Sequence, residues 1–141
     1  MRWDEFLNTA DRLALGSTEG DWRSAVSRAY YGLFHYLREV LLAGGLNLGA
    51  SGACHFNLYA GLMNCGIVAA ARLAPRLDRL REARVKADYN LNRLVSRSIA
   101  QQEVQEARSL VADFQSVLST FPPAHLAAGA RRYLKAMRRI P

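Results

Sequence analysis

The sequence contains only four prolines, and the first of them is Pro75. The long proline-free intervals are rich in alanine, leucine and arginine, residues that favour the α-helix, whereas a proline in a helix interior would kink or break it. No stretch shows a convincing alternation of apolar and polar residues, the pattern typical of a half-buried strand. We therefore predict an all-α fold, most simply an antiparallel bundle of four to five helices with an extra basic helix at the C-terminus.

Apolar residues at helical spacing, with the glycines and prolines between them, predict where the helices begin and end. The predicted helices cover residues 3–15, 22–42, 54–73, 75–91, 99–121 and 125–140. Asp21 is the expected N-cap of the second helix. The run that begins at Pro75 either continues the third helix beyond a kink or forms a new helix. The chain length suits one core, so residues 1–121 are predicted to form the bundle and residues 122–141 a basic C-terminal helix or tail.

The chain carries 19 lysine and arginine residues against 12 aspartate and glutamate residues, a formal net charge of +7. Two segments, Arg72 to Arg97 and Arg131 to Arg139, are especially rich in basic residues. Such clusters attract phosphate groups, so nucleic acid or a nucleotide is an expected partner, although a solvated basic surface would have the same pattern. No apolar run reaches the ~18 residues that a membrane span needs, so we expect no membrane association.

The only two cysteines, Cys54 and Cys65, are too few for a disulfide framework, and a reducing cytoplasmic setting is the expectation. With His55 they would offer a metal ion three ligands, but there is no fourth ligand and no CxxC spacing. Buried thiols are the preferred interpretation. We expect neither a metal nor another cofactor.

The predicted second helix has an apolar side and a polar side. At about 100° of rotation per residue, Arg28, Tyr31 and His35 fall on the polar side, whereas Tyr30 lies at the edge of the apolar side. Tyr31 and His35 are neighbours four residues apart, and Arg28 lies about 10 Å from His35 along the helix axis, so all three can line one groove. Histidine can act as an acid or a base near neutral pH, and arginine can bind phosphate through two hydrogen bonds. The alternative is a solvated face, or a helix interface in which His35 is hydrogen-bonded.

A second candidate segment covers residues 82–90, with the sequence EARVKADYN. Arg84 and Asp88 are four residues apart and can form an ion pair, which is weak if exposed but orients the guanidinium if it is partly buried. Tyr89 lies about 100° further round the helix. A surface ion pair beside a packing tyrosine would account for the same residues. The chain has no Walker loop, HExxH motif, nucleophile elbow or paired-carboxylate signature, so the enzyme classes that these motifs mark are not supported.

These segments together resemble the HEPN superfamily, in particular a prokaryotic branch whose members carry an SRAYYxxFH helix and an RxxADY segment. The matching stretches are WDEFLNTADRLA, DWRSAVSRAYYGLFHYLREVLL and LREARVKADYNL, followed by a long helix, and the resemblance covers residues 3–118. It implies a bundle of four to five helices that forms a symmetric homodimer with one basic cleft. Many HEPN proteins are metal-independent endoribonucleases, and many act as toxins of toxin–antitoxin or phage-defence pairs. Their usual partner is a minimal nucleotidyltransferase.

The HEPN ribonucleases use an arginine followed, after four to six residues, by a histidine. Starting from Arg84, that window holds Tyr89, Asn90 and Leu91, none of which is a histidine. Asparagine can form hydrogen bonds but cannot carry a proton. The histidine expected in this segment is therefore missing, and His35 of the second helix is the remaining candidate for a proton carrier.

The hypothesis that follows is a composite site with residues from both segments. The catalytic candidates are Arg84, Asp88, His35 and Tyr31, and the candidates for binding nucleic acid or phosphate are Arg28, Arg81, Lys86, Tyr89 and Asn90. The expected function is that of a HEPN protein that binds or acts on RNA or a nucleotide, as the toxin-like member of a toxin–antitoxin or phage-defence pair and as a metal-independent endoribonuclease if the site is active. The alternative is a catalytically inactive HEPN module that dimerises and binds a nucleotidyltransferase partner or a nucleotide. The third hypothesis is a purely structural dimerisation module.

Overall fold

The computed structural model describes residues 1–141, which form six α-helices and no strand. The helices are α1 (Trp3–Ala14), α2 (Glu19–Ala43), α3 (Ala53–Met63), α4 (Val68–Tyr89), α5 (Arg97–Thr120) and α6 (Pro123–Ala136). The prediction of an all-α bundle with an additional basic C-terminal helix is confirmed. No helix combines enough length with enough apolar character to cross a lipid bilayer.

The N-terminus of α2 differs from the prediction, because Thr18 rather than Asp21 caps the helix. The Thr18 hydroxyl accepts a hydrogen bond of 3.1 Å from the backbone N–H of Asp21. The Asp21 carboxylate in turn accepts a hydrogen bond of 3.3 Å from the backbone N–H of Ser17. This reciprocal arrangement is of the capping-box type, with an acidic side chain in the first turn, where the helix dipole favours negative charge. The helix therefore begins at Glu19, one turn earlier than the apolar pattern indicated.

The prediction of one helix over residues 54–73 is wrong. The chain leaves α3 after Met63 and enters α4 at Val68. Gly66 permits the turn between them, because its φ of 83° lies in the left-handed region that side chains disfavour. Pro75 lies inside α4 and marks no boundary. Since proline has no N–H, α4 accommodates it without the backbone hydrogen bond that this position would otherwise make.

The chain divides into two compact units, of which the first contains Met1–Tyr36 and Arg79–Val111. This unit includes α1, the first part of α2, the end of α4 and the beginning of α5. Its buried apolar side chains include Leu7, Ala10, Ala29, Tyr30, Leu33, Leu80, Ala107 and Leu110. Arg79 of α4 and Glu103 of α5 form two hydrogen bonds of 3.1 Å each, which tie these two helices together. All of the predicted site residues belong to this unit.

The second unit contains Leu37–Asp78 and Ala112–Pro141, and it includes α3 and α6. The basic helix α6 packs here, and its buried residues are Leu126, Ala127, Gly129, Ala130 and Leu134. The helix approaches the turn after α3 so closely that a Cβ atom at Gly129 would overlap the carbonyl oxygen of Cys65. Cys54 and Cys65 are both free and buried, as their preferred interpretation expected. The division of the chain between residues 121 and 122 stays a prediction.

Candidate functional site

The guanidinium of Arg84 on α4 lies against two tyrosine rings of α2. Its Cζ atom is 5.5 Å from the ring centroid of Tyr30 and 5.4 Å from that of Tyr31, distances at which an aromatic face attracts a cation. Only 11% of the Arg84 side chain is exposed, and its Nε atom is buried without a hydrogen-bond partner. The two rings therefore take the place of water around much of this cation.

Asp88 lies one turn beyond Arg84 and links α4 to α2. Its Oδ2 atom is 3.6 Å from Nη1 of Arg84, and the same oxygen accepts a hydrogen bond of 3.1 Å from the hydroxyl of Ser27. Ser27 is buried although its side chain is polar, and this hydrogen bond provides its hydroxyl with an acceptor. The ion pair expected from the spacing of Arg84 and Asp88 is present and partly buried, and it holds the guanidinium in a fixed direction.

Arg28 lies on the outer side of Tyr31. Its Cζ atom is 5.6 Å from the ring centroid of Tyr31 and 5.4 Å from that of Phe6 on α1. Arg28 is half-buried and forms neither an ion pair nor a hydrogen bond. Because its guanidinium lies over two aromatic rings while its N–H groups have no protein acceptor, Arg28 has donors that an anion such as phosphate could accept from.

The imidazole of His35 lies among aromatic rings one turn along α2 from Tyr31. Its ring centroid is 5.1 Å from Phe6, 5.3 Å from Phe34 and 6.2 Å from Tyr31. His35 is half-buried. Tyr31 is thus the common neighbour of Arg28, His35 and Arg84. We call the five residues Arg28, Tyr31, His35, Arg84 and Asp88 the Tyr31 cluster.

The remaining predicted residues lie elsewhere on the first unit. Arg81 is half-buried and lies one turn before Arg84 on α4. Lys86 is exposed and lines a cavity that contains no residue of the Tyr31 cluster. Tyr89 is the last residue of α4 and is 76% exposed. The side-chain oxygen of Asn90 accepts a hydrogen bond of 3.2 Å from the backbone N–H of the residue two positions further on. Tyr89 and Asn90 therefore do not contribute to the Tyr31 cluster.

Arg23 is a structural residue that the sequence reasoning missed. It is buried, and its guanidinium donates hydrogen bonds to the carbonyl oxygens of Ala87 at 2.9 Å and Asn90 at 3.1 Å, and to that of Arg93. These carbonyls belong to the end of α4 and the loop after it, so Arg23 fixes the C-terminal end of the helix that carries Arg84. The spacing of Arg23, Ser27 and Tyr30 at i, i+4 and i+7 was the available signal, because it places all three on one buried stripe.

The basic density of residues 72–97 is partly neutralised in the fold. Arg76 is 2.8 Å from Asp113 in the second unit, and Arg79 in the first unit is paired with Glu103. No group of three or more His, Cys, Asp and Glu side chains lies close enough together to hold a metal ion. The chemistry that the Tyr31 cluster offers is therefore that of cations, aromatic rings and one imidazole, which together suit a phosphate and an adjoining base.

The comparisons with known proteins place the chain in a family. Searches among curated proteins and among solved structures gave no match. The family model described as HEPN domain matches residues 4–120. This range contains every residue of the Tyr31 cluster and most of the chain. The protein therefore belongs to the HEPN family.

Proposed function

We propose that this protein binds RNA or a nucleotide and is the toxin-like member of a toxin–antitoxin or phage-defence pair. The observation that carries the proposal is Arg28, a half-buried arginine whose guanidinium lies over the rings of Tyr31 and Phe6 and whose N–H groups have no protein acceptor. A guanidinium fixed in this way loses little conformational freedom when it binds phosphate. The net charge of +7 adds a long-range attraction for a polyanion.

The binding test is fluorescence anisotropy with a labelled 20-nucleotide single-stranded RNA over a series of salt concentrations. For single strands, the logarithm of the binding constant falls with the logarithm of salt with a slope of about −0.7 for each phosphate contacted. We expect Arg28→Ala to weaken binding and to reduce the size of that slope by about 0.7. Arg72→Ala, which removes an exposed arginine of the second unit, is the matched control and should behave as wild type. Wild-type RNA binding that is absent or independent of salt would refute the RNA-binding part of the proposal.

Catalysis as a metal-independent endoribonuclease would require a base for the 2′-hydroxyl and a cation for the phosphate. In the Tyr31 cluster, His35 is the group that can exchange a proton near neutral pH, and Arg28 is the cation with free donors. The test is incubation of RNA with the protein in EDTA. Cleavage by wild type that His35→Ala abolishes would establish the ribonuclease; equal RNA patterns for both proteins would exclude it.

A second candidate is a catalytically inactive HEPN module that forms a homodimer and binds a nucleotidyltransferase partner or a nucleotide. The observation that favours it is the confinement of Arg84, which contacts two tyrosine rings and Asp88 and has only 11% of its side chain exposed. An arginine confined by these contacts stabilises the fold but has little freedom to move with a phosphate group during a reaction. If this candidate is right, the protein is dimeric by light scattering, binds RNA or nucleotide, and leaves RNA intact in EDTA.

A further inference from the structure

A separate cavity of about 250 Å³ lies in the first unit, between α4, the start of α5 and the loop that joins them. Two cations at its edge, Lys86 and Arg93, are exposed and have no ion pair or side-chain hydrogen bond. Arg79 and Glu103, which also line the cavity, neutralise each other through two hydrogen bonds. The free charges of the cavity are therefore those of Lys86 and Arg93 together with one unpaired carboxylate, Glu82.

Another part of the cavity lining forms an apolar wall. Val26 and Val95 are buried in it, whereas Leu94 is 69% exposed and Ile99 is 41% exposed. Large apolar side chains that stay exposed beside a concave surface are typical of a ligand site rather than of a solvated face. The volume lies just below the usual range of ~300–1,000 Å³ for small-molecule sites, so the cavity suits one flat ring system with its polar part left outside.

The loop that forms this wall is held in place before any ligand arrives. The guanidinium of Arg23 donates to the carbonyl oxygens of Asn90 and Arg93, and the carboxylate of Glu19 accepts a hydrogen bond of 3.2 Å from the backbone N–H of Val95. A preformed site avoids the entropy cost of ordering a loop on binding. The free guanidinium of Arg93 thus extends from a backbone that is fixed at its own carbonyl.

We propose that this cavity binds a single ribonucleotide, either free or within an RNA strand, with its base against Val26, Leu94 and Ile99 and its phosphate at Lys86 and Arg93. Glu82 then accepts a hydrogen bond from a base N–H group. An apolar wall, two cations and one acceptor match the apolar face, the phosphate and the N–H groups of a nucleoside monophosphate. The inference rests on the proposed function and adds a nucleotide site that contains no residue of the Tyr31 cluster.

The test is isothermal titration of the full-length protein with AMP, GMP, CMP, UMP and inorganic phosphate. At least one monophosphate should bind ten times more tightly than inorganic phosphate, because the base adds contacts that phosphate lacks. The variants Arg93→Ala and Ile99→Ala should each weaken that binding at least fivefold. Arg72→Ala should leave it within twofold, and circular dichroism should show equal helix content in all four proteins.

Equal binding of phosphate and of every monophosphate would overturn the proposal, and so would equal effects of Arg93→Ala and Arg72→Ala. The same four proteins and Arg28→Ala are then titrated with the 20-nucleotide RNA. RNA binding that depends on Arg28 but not on Arg93, with no monophosphate binding, would refute the cavity site and leave the proposed function standing. If wild type bound neither the RNA nor any monophosphate, the proposed function itself would be refuted.

Discussion

Arg84 lies with its guanidinium carbon 5.4 Å from the ring centroid of Tyr31, and this contact joins the end of α4 to the polar side of α2. Tyr30 and Asp88 surround the same guanidinium from other directions. A cation–π contact of this kind is worth about 0.5–2 kcal/mol, more when water is excluded from it. The arrangement therefore confines Arg84 between the two helices, whereas Arg28 is the cation of the Tyr31 cluster whose N–H groups have no protein acceptor.

Replacing Arg84 by alanine should lower the free energy of unfolding by about 1–3 kcal/mol. The change removes the contacts with both tyrosine rings and the packing of the aliphatic stem, and it leaves Asp88 with its hydrogen bond from Ser27 alone. Urea unfolding followed by circular dichroism measures the change. The control is Arg72→Ala on the exposed part of α4, which should shift stability by less than about 0.5 kcal/mol. Equal stability of the two variants would show that the tyrosine contacts contribute nothing.

Arg23→Met should destabilise the protein by about 2–4 kcal/mol, because several backbone carbonyl oxygens at the end of α4 and in the next loop lose a charged donor. Methionine keeps much of the side-chain volume, so the effect reports hydrogen bonding more than packing. Hydrogen exchange measured by mass spectrometry should become faster in peptides that cover residues 86–95. Unchanged exchange in these peptides would mean that the loop is held by other contacts.

The sequence pattern predicted those features that depend on a single helix. A rotation of 100° per residue separated buried Tyr30 from half-buried Tyr31, and the four-residue spacing anticipated the ion pair of Arg84 with Asp88. The turn at Gly66 was missed because the apolar, small-residue pattern continues through it and Pro75 offered a more obvious boundary.

Features that join two helices could not be read from the sequence. The acceptors of Arg23 are main-chain carbonyl oxygens, which every residue possesses and which therefore leave no pattern. The contact of Arg28 with Phe6 depends on how α1 packs against α2, and Phe6 alone reads as an ordinary core residue. The helical spacing correctly placed Arg28, Tyr31 and His35 near one another, and their role as a site stays a prediction. The separation of Lys86, Tyr89 and Asn90 from the cluster could be seen only once the end of α4 was known.

Two glycine-to-alanine changes should shift stability in opposite directions. Gly129→Ala should destabilise the protein by about 1–3 kcal/mol, since the added methyl group would overlap the carbonyl oxygen of Cys65. Gly20 lies in the first turn of α2, and a Cβ atom added there would have the Thr18 hydroxyl oxygen, at 3.8 Å, as its nearest neighbour. Gly20→Ala should therefore raise the free energy of unfolding by about 0.5–1 kcal/mol. Thermal unfolding of both variants measures the shifts. An unchanged unfolding temperature for Gly129→Ala would contradict the close packing of α6 against Cys65.

Burial raises the pKa of the Cys65 thiol above its ordinary value of 9.0. The neutral thiol is thus favoured in the folded state, so its contribution to stability is present below the unfolded pKa and is lost as the pH rises through the raised folded pKa. The stability difference between wild type and Cys65→Ala should therefore shrink as the pH increases from 8 to 10.5. Urea midpoints of both proteins over this range measure it, and a constant difference would show that the thiol does not change its pKa on folding.

Photocrosslinking tests most directly whether RNA binds at the first unit. RNA that contains 4-thiouridine is irradiated with the full-length protein, and the cross-linked peptides are identified by mass spectrometry with Arg28→Ala as the comparison. We predict cross-links within residues 27–36 and 84–95, and we predict that Arg28→Ala weakens those within 27–36. Cross-links confined to the basic segment 123–141, unchanged in Arg28→Ala, would contradict the assignment of RNA binding to the Tyr31 cluster.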